Sequence, residues 1–434
     1  MRANMSVMRR VVVAAAMVSV GSGALVAQLP SSSPAAFGMA GNYTAMARGY
    51  EAVALNAANL AMPGRPFISF GAAIVGGTVG MDPVGFKMLH DYGGLVVDSA
   101  VRSSWVDLVR TSGRQRARVD GGITPLALSI GPVGFQTGVS MYTNMDMSPD
   151  MFEAAMFGNA GLNNGQAKPL NFTGTGLEMG VFGTGAVSFA LPLPVSFTAG
   201  LLGPENLAIG ITGKYITGSM IIARDGGSVF GTNSVNYSFP VVMPSDSSDG
   251  MVGIGAGADL SAAWSASRWK VGVQIENIFN TFKWDTTKLA MQSTSGFFDA
   301  DTNYSTDTTV AYGQAPAALR ERIAAEGFKP ALNVGVAFKA TDFLTVTADL
   351  HQQTGGDDAI SIGPKNRMGV GAELRILPFI PLRAGVASVT DGWQAGAGFG
   401  IRLLGYELGL SGSVRKRGAA TESGFMISVL GIGH

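Results

Sequence analysis

Histidine and cysteine carry most metal and nucleophile chemistry, and this 434-residue chain has three histidines, His90, His351 and His434, and no cysteine. The histidines are not spaced as metal ligands, and no Gly-x-Ser-x-Gly elbow presents a serine nucleophile. His351 alone invites a lipase-like reading, and no nearby serine pairs with it. Gly174-x-Gly176 and Gly396-x-Gly398-x-Gly400 imitate phosphate-cradling loops, but they lie in alternating segments and lack the helix such a loop requires. Small residues that make room for an inserted segment are the simpler account. The inventory therefore points to no catalytic residue, no metal and no cofactor. What remains is a set of charges set among alternating apolar residues: Lys214, Asp259, Glu276, Asp349, Arg367, Glu373, Arg375, Arg383, Arg402 and Glu407. Such charges fit a wet interior, where they neutralise one another, hold an inserted segment by salt bridges, or bind a carboxylate head group.

The elements that must position these residues follow from composition. The chain is 47% hydrophobic and only 14% charged, with 61 glycines, whereas soluble domains carry roughly 25% charge. After the leader, no window offers the roughly 20 consecutive apolar residues that a membrane helix needs. A chain apolar on average but nowhere continuously so must place its lipid-facing residues by alternation, and a closed barrel is the non-helical structure that satisfies its backbone in lipid. The leader itself reads as a secretory signal: Arg2, Arg9 and Arg10 precede an apolar run over 11–20 and small residues at 21–24. Residues 1–27 are expected to be removed, with cleavage after Ala24 or Ala27. Of the 30 basic residues, 27 then remain against 30 acidic, a balance that argues against a nucleic-acid partner.

Alternation is clearest near the end of the chain. Leu332, Val334, Val336 and Phe338 share one face and Asn333, Gly335, Ala337 and Lys339 the other; Met368, Val370, Ala372 and Leu374 oppose Arg367, Gly369, Gly371 and Glu373. Fourteen strands are expected: 66–78, 114–130, 132–143, 174–191, 206–223, 250–265, 269–284, 330–339, 343–352, 367–376, 381–388, 393–402, 405–414 and 424–433. Their connections alternate between tight and long, as in barrels with short turns on one side, which places both termini in the periplasm. Residues 114–130 change the parity of their apolar face, which implies a bulge or two separate segments.

The long connections carry helical signals at 98–109, at 151–157 after a Ser148 cap, and at 316–325. Either these helices brace the outer rim, or Met151, Phe152, Met156 and Phe157 offer a deformable apolar surface that captures a hydrophobic ligand.

Residues 35–62 precede the first strand and do not alternate. Gly38, Ala40, Gly41, Tyr43, Ala45, Ala47 and the run from Asn56 through Asn59 to Ala61 resemble the N-terminal hatch of the long-chain fatty-acid transporter superfamily. That family reads Asn-Pro-Ala where this chain has Asn56-Ala57-Ala58. Weaker echoes follow at 157–159, 207–215, 276–280 and 381–385. The resemblance implies an all-β fold, a transmembrane antiparallel barrel of about 14 strands with short helices in its extracellular loops, closed by a plug in which Tyr43, Asn56 and Asn59 take part. The domains expected are a leader (1–27), a plug (28–65) and the barrel (66–434). Outer-membrane barrels commonly end on an aromatic residue, whereas this chain ends on His434 with Phe425 at the start of its last strand.

The function expected is passive uptake of hydrophobic or amphipathic small molecules. The alternatives are an accessory barrel that partners a secretion or surface-attachment system, and a general porin. The partners expected are outer-membrane lipids, the barrel-assembly machinery and a hydrophobic ligand. An apolar pocket beneath the outer loops favours uptake, a filled barrel with a conspicuous apolar outer patch favours the accessory role, and an open polar bore favours the porin.

Overall fold

The computed structural model describes residues 33–433 apart from 93–95, 197, 199–202, 300, 357–359, 361, 391 and 419. The leader and His434 lie outside the described residues. Fourteen antiparallel strands form one closed wall: β1 (Ile68–Asp82), β2 (Gln115–Ile130), β3 (Val133–Met147), β4 (Gly176–Leu193), β5 (Glu205–Arg224), β6 (Gly253–Ala266), β7 (Trp269–Asn280), β8 (Ala331–Lys339), β9 (Leu344–Gln353), β10 (Asn366–Leu377), β11 (Ile380–Val389), β12 (Gly392–Leu403), β13 (Tyr406–Arg417) and β14 (Ala420–Ile432). Each pairs with its neighbour in chain order, and β1 pairs with β14 from Phe70↔Ile432 to Met81↔Thr421, which removes both edges.

The period of two sorts side chains as the sequence implies. On β10, Met368 and Val370 face out while Gly371 and Glu373 face in; on β9, Val346 and Leu350 face out while Thr347 and Asp349 are buried. Outward aromatics gather toward the two ends of the wall, with Trp269, Phe343, Phe379 and Tyr406 at one and Phe279 and Trp393 at the other, the arrangement of interface girdles. Among the described residues, no helix is long and apolar enough to cross a membrane.

The parity change in β2 is a bulge. The ladder to β3 shifts between Ile123↔Val139 and Leu126↔Thr137, so the outward face passes from odd to even positions at Pro125. A second bulge falls in β7 between Ile275 and Phe279, where Asn277 takes a left-handed φ of 52°.

Five connections at the end near the N-terminus of β1 are tight, at 131–132, 267–268, 340–343, 378–379 and 404–405, and one, 194–204, is longer. Leu404 and Gly405 both have positive φ, as a two-residue hairpin between right-twisted strands requires. The opposite end carries the long segments 83–114, 148–175, 225–252, 281–330 and 354–365. The expected helices form there as α4 (Ser99–Ser112), α5 (Pro149–Phe157, with Ser148 Oγ accepting from Met151 N at 3.2 Å) and α6 (Ala317–Ala325), joined by a short α3 (Phe86–Asp91). Two short helices, α1 (Pro34–Gly38) and α2 (Ala52–Leu55), belong to the segment before β1. Two long connections also hold strands that alternation had not separated from loop: Val235–Pro244, Leu289–Phe298 and Asn303–Ala311 stack in that order outward from the end of β5.

Candidate functional site

Residues 33–62 fold inside the wall. α1 lies against β11 to β14, α2 against β3, and the 3-10 turn Ala57–Ala61 against β4, β5 and β6. Met39, Ala47, Ala52, Val53 and Ala58 have no measurable exposure. A backbone this close to a β wall needs bare positions opposite it, and inward glycines provide them. A Cβ on Gly385 would stand 2.2 Å from the carbonyl oxygen of Met39, and one on Gly272 would stand 2.7 Å from Asn56 Nδ2. Gly396 faces the Phe37 carbonyl at 2.7 Å in the same way, so this glycine motif is part of the plug's seat.

Polar groups fix the plug's register. Asn56 Oδ1 accepts from Ala58 N at 3.1 Å, while its Nδ2 donates to the wall carbonyls of Ala262 and Val273 at 3.2 and 3.4 Å. Ala57 is the first residue of the 3-10 turn, a position where a missing N–H costs nothing. Alanine therefore replaces the family's proline without losing the cap. Asn59 Nδ2 ties back to the Thr44 carbonyl at 3.0 Å. Tyr43 donates to Glu51 at 3.3 Å within the plug. Burial raises the Glu51 carboxyl from 4.5 to about 7; the Glu407 carboxylate adds to this, and Ser33, Arg383 and Arg402 oppose it. Asn42, which sequence reading passed over, donates to the Val370 carbonyl at 3.1 Å and accepts through its own carbonyl from Thr347 Oγ1 at 2.8 Å.

Nine of the ten lumen charges fall into three groups. Asp349 accepts from Thr44 N at 2.9 Å, and Arg367 donates to the Gly41 carbonyl at 3.0 Å; these two hold the plug, through its backbone and by hydrogen bonds. Arg375, Glu373, Arg383, Glu407 and Arg402 form a chain of alternating charge toward the short-turn end, with contacts of 2.6, 2.8, 3.0 and 2.5 Å. Lys214 pairs with Asp259 at 2.6 Å, and the Asn277 bulge points its N–H at the same carboxylate at 2.7 Å. Glu276 instead accepts from Asn333, whose other end meets His351 at 2.6 Å. His351 thus belongs to a polar bridge, and among the described residues no group of three or more His, Cys, Asp or Glu is placed to hold a metal.

The other end of the lumen is filled differently. Segment 281–330 turns down into the mouth, and Phe282, Trp284, Phe328, Leu319 and Ile323 pack on Phe182, Ile216 and Met220 of the wall. Phe182 meets Phe328 at 5.1 Å and Trp284 at 5.8 Å between ring centres. One charge enters this apolar cluster: Glu326 accepts from Tyr142 Oη at 2.9 Å and from Trp284 Nε1 at 3.1 Å. Burial raises its carboxyl above the usual range, opposed by those donors and by Arg322. Arg322 and Arg224 both bind Glu178, at 3.3 and 2.5 Å, and tie the segment to the wall.

The four apolar residues of α5 do not stand open. α4 packs across them: Phe152 is buried with Trp105, Val106 and Val109, and Met156 and Phe157 pack against that cluster half-buried. Arg102 lies 4.6 Å over the Phe157 ring. Met151 is half-buried. Two amphipathic helices cover one another here, which a single-helix reading could not reveal.

No protein-family model and no curated protein matches the chain. Solved structures do match. A mutant of the TodX monoaromatic hydrocarbon channel aligns over 92% of this chain and 98% of its own, at 11% identity and a TM-score of 0.53. The toluene transporter TbuX of Ralstonia pickettii aligns over the same shares at 12% identity and 0.51. This chain therefore has the fourteen-stranded fold of the hydrocarbon-transporter barrels of the fatty-acid transporter type, the fold that its hatch sequence resembles.

Proposed function

We propose that the protein is an outer-membrane barrel of a diderm bacterium, exported after cleavage at Ala24 or Ala27, that admits hydrophobic or amphipathic small molecules passively past two closures. The observation that carries this reading is the apolar filling of the outer mouth. Water-filled pores line their bores with polar side chains, whereas this mouth is occupied by Phe282, Trp284, Phe328 and Met291 from a loop segment. Such side chains are contacts that an apolar molecule can replace at little cost, since it offers the same burial in exchange. The barrel types it resembles in fold include a toluene transporter and a monoaromatic hydrocarbon channel, which supports a hydrophobic cargo. Folding requires the barrel-assembly machinery, and the outer apolar belt requires lipid.

The test is fluorescence quenching of the purified barrel by 1-bromohexane, with Trp284→Phe subtracted to isolate Trp284 among the five tryptophans. Saturable quenching of Trp284 is expected. Quenching that rises linearly, as for free tryptophan, overturns the reading. One feature favours an accessory role as a second reading: strand Asn303–Ala311 is exposed along nearly its whole length and, among the described residues, pairs on one side only, the condition under which a strand edge recruits another chain. Removing residues 293–309, which spares Met291, leaves Trp284 quenching intact if uptake is the function.

A further inference from the structure

At the long-loop end, a cavity of 520 Å³ is lined by residues of β1, β2, β3, β13 and β14. Cross-strand register builds it from two rows. In the outer row Arg116 faces Asp146 on β3 and Asp82 on β1. In the inner row Arg118, Gly80, Glu422, Arg415 and Gln394 stand side by side on five consecutive strands. Gly80 sits between Arg118 and Glu422 in that row, and a Cβ there would stand 2.4 Å from Glu422 Cγ; the missing side chain is the space.

The charges around it are not matched. Four arginines line the cavity, at 114, 116, 118 and 417, against Asp82, Asp146 and Glu422. Arg114 and Arg116 approach Asp146 only to 3.6 and 3.8 Å, Arg116 approaches Asp82 to 3.6 Å, and Arg417 approaches Glu422 to 3.6 Å. Glu422 is already held by Arg415 at 2.9 Å. The Arg118 guanidinium attracts the carboxylates of Asp82 and Asp120 but makes no side-chain hydrogen bond or ion pair within 4 Å among the described residues. Guanidinium forks left at such distances keep donors free, and an arginine cluster with free donors matches an anion of three oxygens better than the two oxygens of a carboxylate.

We propose that this cavity binds the phosphate-monoester or sulfonate head group of a small organic anion, held by Arg116 and Arg118 with Arg114 and Arg417 closing over it. How the ligand arrives rests on the uptake reading; the binding itself does not. The apolar α4–α5 pair adjoins the site, since Val84 and Met147 of that cluster follow directly on the strand ends that carry Asp82 and Asp146. Phe86 and Leu89 of α3, just beyond the end of β1, remain exposed, and a short apolar tail attached to the anion has a place to rest on them.

The full-length barrel in non-ionic detergent is titrated calorimetrically with inorganic phosphate, hexyl phosphate, hexanoate and hexyltrimethylammonium. Hexyl phosphate is expected to bind about tenfold more tightly than hexanoate, as charge-assisted bonds to more oxygens dictate. The Arg116→Ala/Arg118→Ala double variant is expected to weaken it about tenfold or more, Arg118→Lys less, and Lys87→Ala at the same end not at all. Heat-modified gel mobility confirms that each variant is folded. Inorganic phosphate binding as tightly as hexyl phosphate supports the site with a free anion as its source, and weaker binding supports a tailed one. Equal binding of hexanoate, insensitivity to the double variant, or competition by hexyltrimethylammonium overturns the proposal. Quenching by neutral bromohexane is read separately, so either idea can fail while the other stands.

Discussion

Toward the short-turn end, residues 33–62 meet the wall backbone to backbone over bare glycines, and the charges around them are paired at 2.5–3.0 Å. Toward the long-loop end, segment 281–330 meets the wall through apolar rings, with Glu326 as its buried charge, and the cavity arginines at 114, 116 and 417 stand 3.6 Å or more from their acids. Hydrogen bonds and tight ion pairs specify one geometry and are costly to leave half-made. Apolar contacts are non-directional and can be exchanged for those of a ligand. The lower closure is therefore a fitted part, and the upper one is a replaceable filling.

The contrast can be broken at three places. Arg383→Ala has the largest expected effect. It breaks two buried ion pairs, leaving Glu373 with Arg375 and Glu407 with Arg402 as their remaining partners, and destabilises the barrel by ~3–5 kcal/mol, read as a lowered urea midpoint with Glu373→Gln/Glu407→Gln partly restoring it. Glu326→Ala comes next. It leaves the Tyr142 hydroxyl and Trp284 indole without their acceptor, at ~1–3 kcal/mol, and red-shifted Trp284 emission with an unchanged urea midpoint shows that the loosening is confined to the mouth. The smallest effect is pH-dependent. Glu51 has a folded value of about 7 against an ordinary 4.5, so its contribution to plug docking is fully present below 4.5 and is lost as pH rises through 7. Protease sensitivity of the plug is expected to be greater at pH 8 than at pH 5, and Glu51→Gln is expected to flatten the difference; equal sensitivity at both pH values refutes it.

The wall was legible in the sequence because a period of two over lipid is enforced residue by residue: a slip of one position at Leu332 or Val370 would put a charge into the membrane. The bulge at Pro125 left its mark as a parity change for the same reason. The hatch was legible through the Asn56 cap and the small residues before it. The internal charges were legible as a class but not by partner, because pairing depends on register between strands far apart in the chain; nothing local distinguishes Asp349, which holds Thr44, from Glu373, which holds Arg383. The arginine cavity was missed because its members come from β2 and β13, some 300 residues apart, and meet only through closure across β1 and β14. Asn42 carried no signal beyond its place in the hatch. The strands 235–244 and 289–311 were read as loop because they project beyond the wall, where no lipid enforces alternation.

The plug precedes every strand, yet its seat is assembled from both ends of the chain: α2 rests on β3, while α1 rests on β11 to β14. Its contacts thus span more than 300 residues, as between Asn42 and Val370. Contacts of such high order form slowly, because loop closure must come before the gain. Residues 33–62 come first in the described chain yet rest partly on its last strands, so a chain truncated within its final four strands loses part of its stopper's seat as well as its seam.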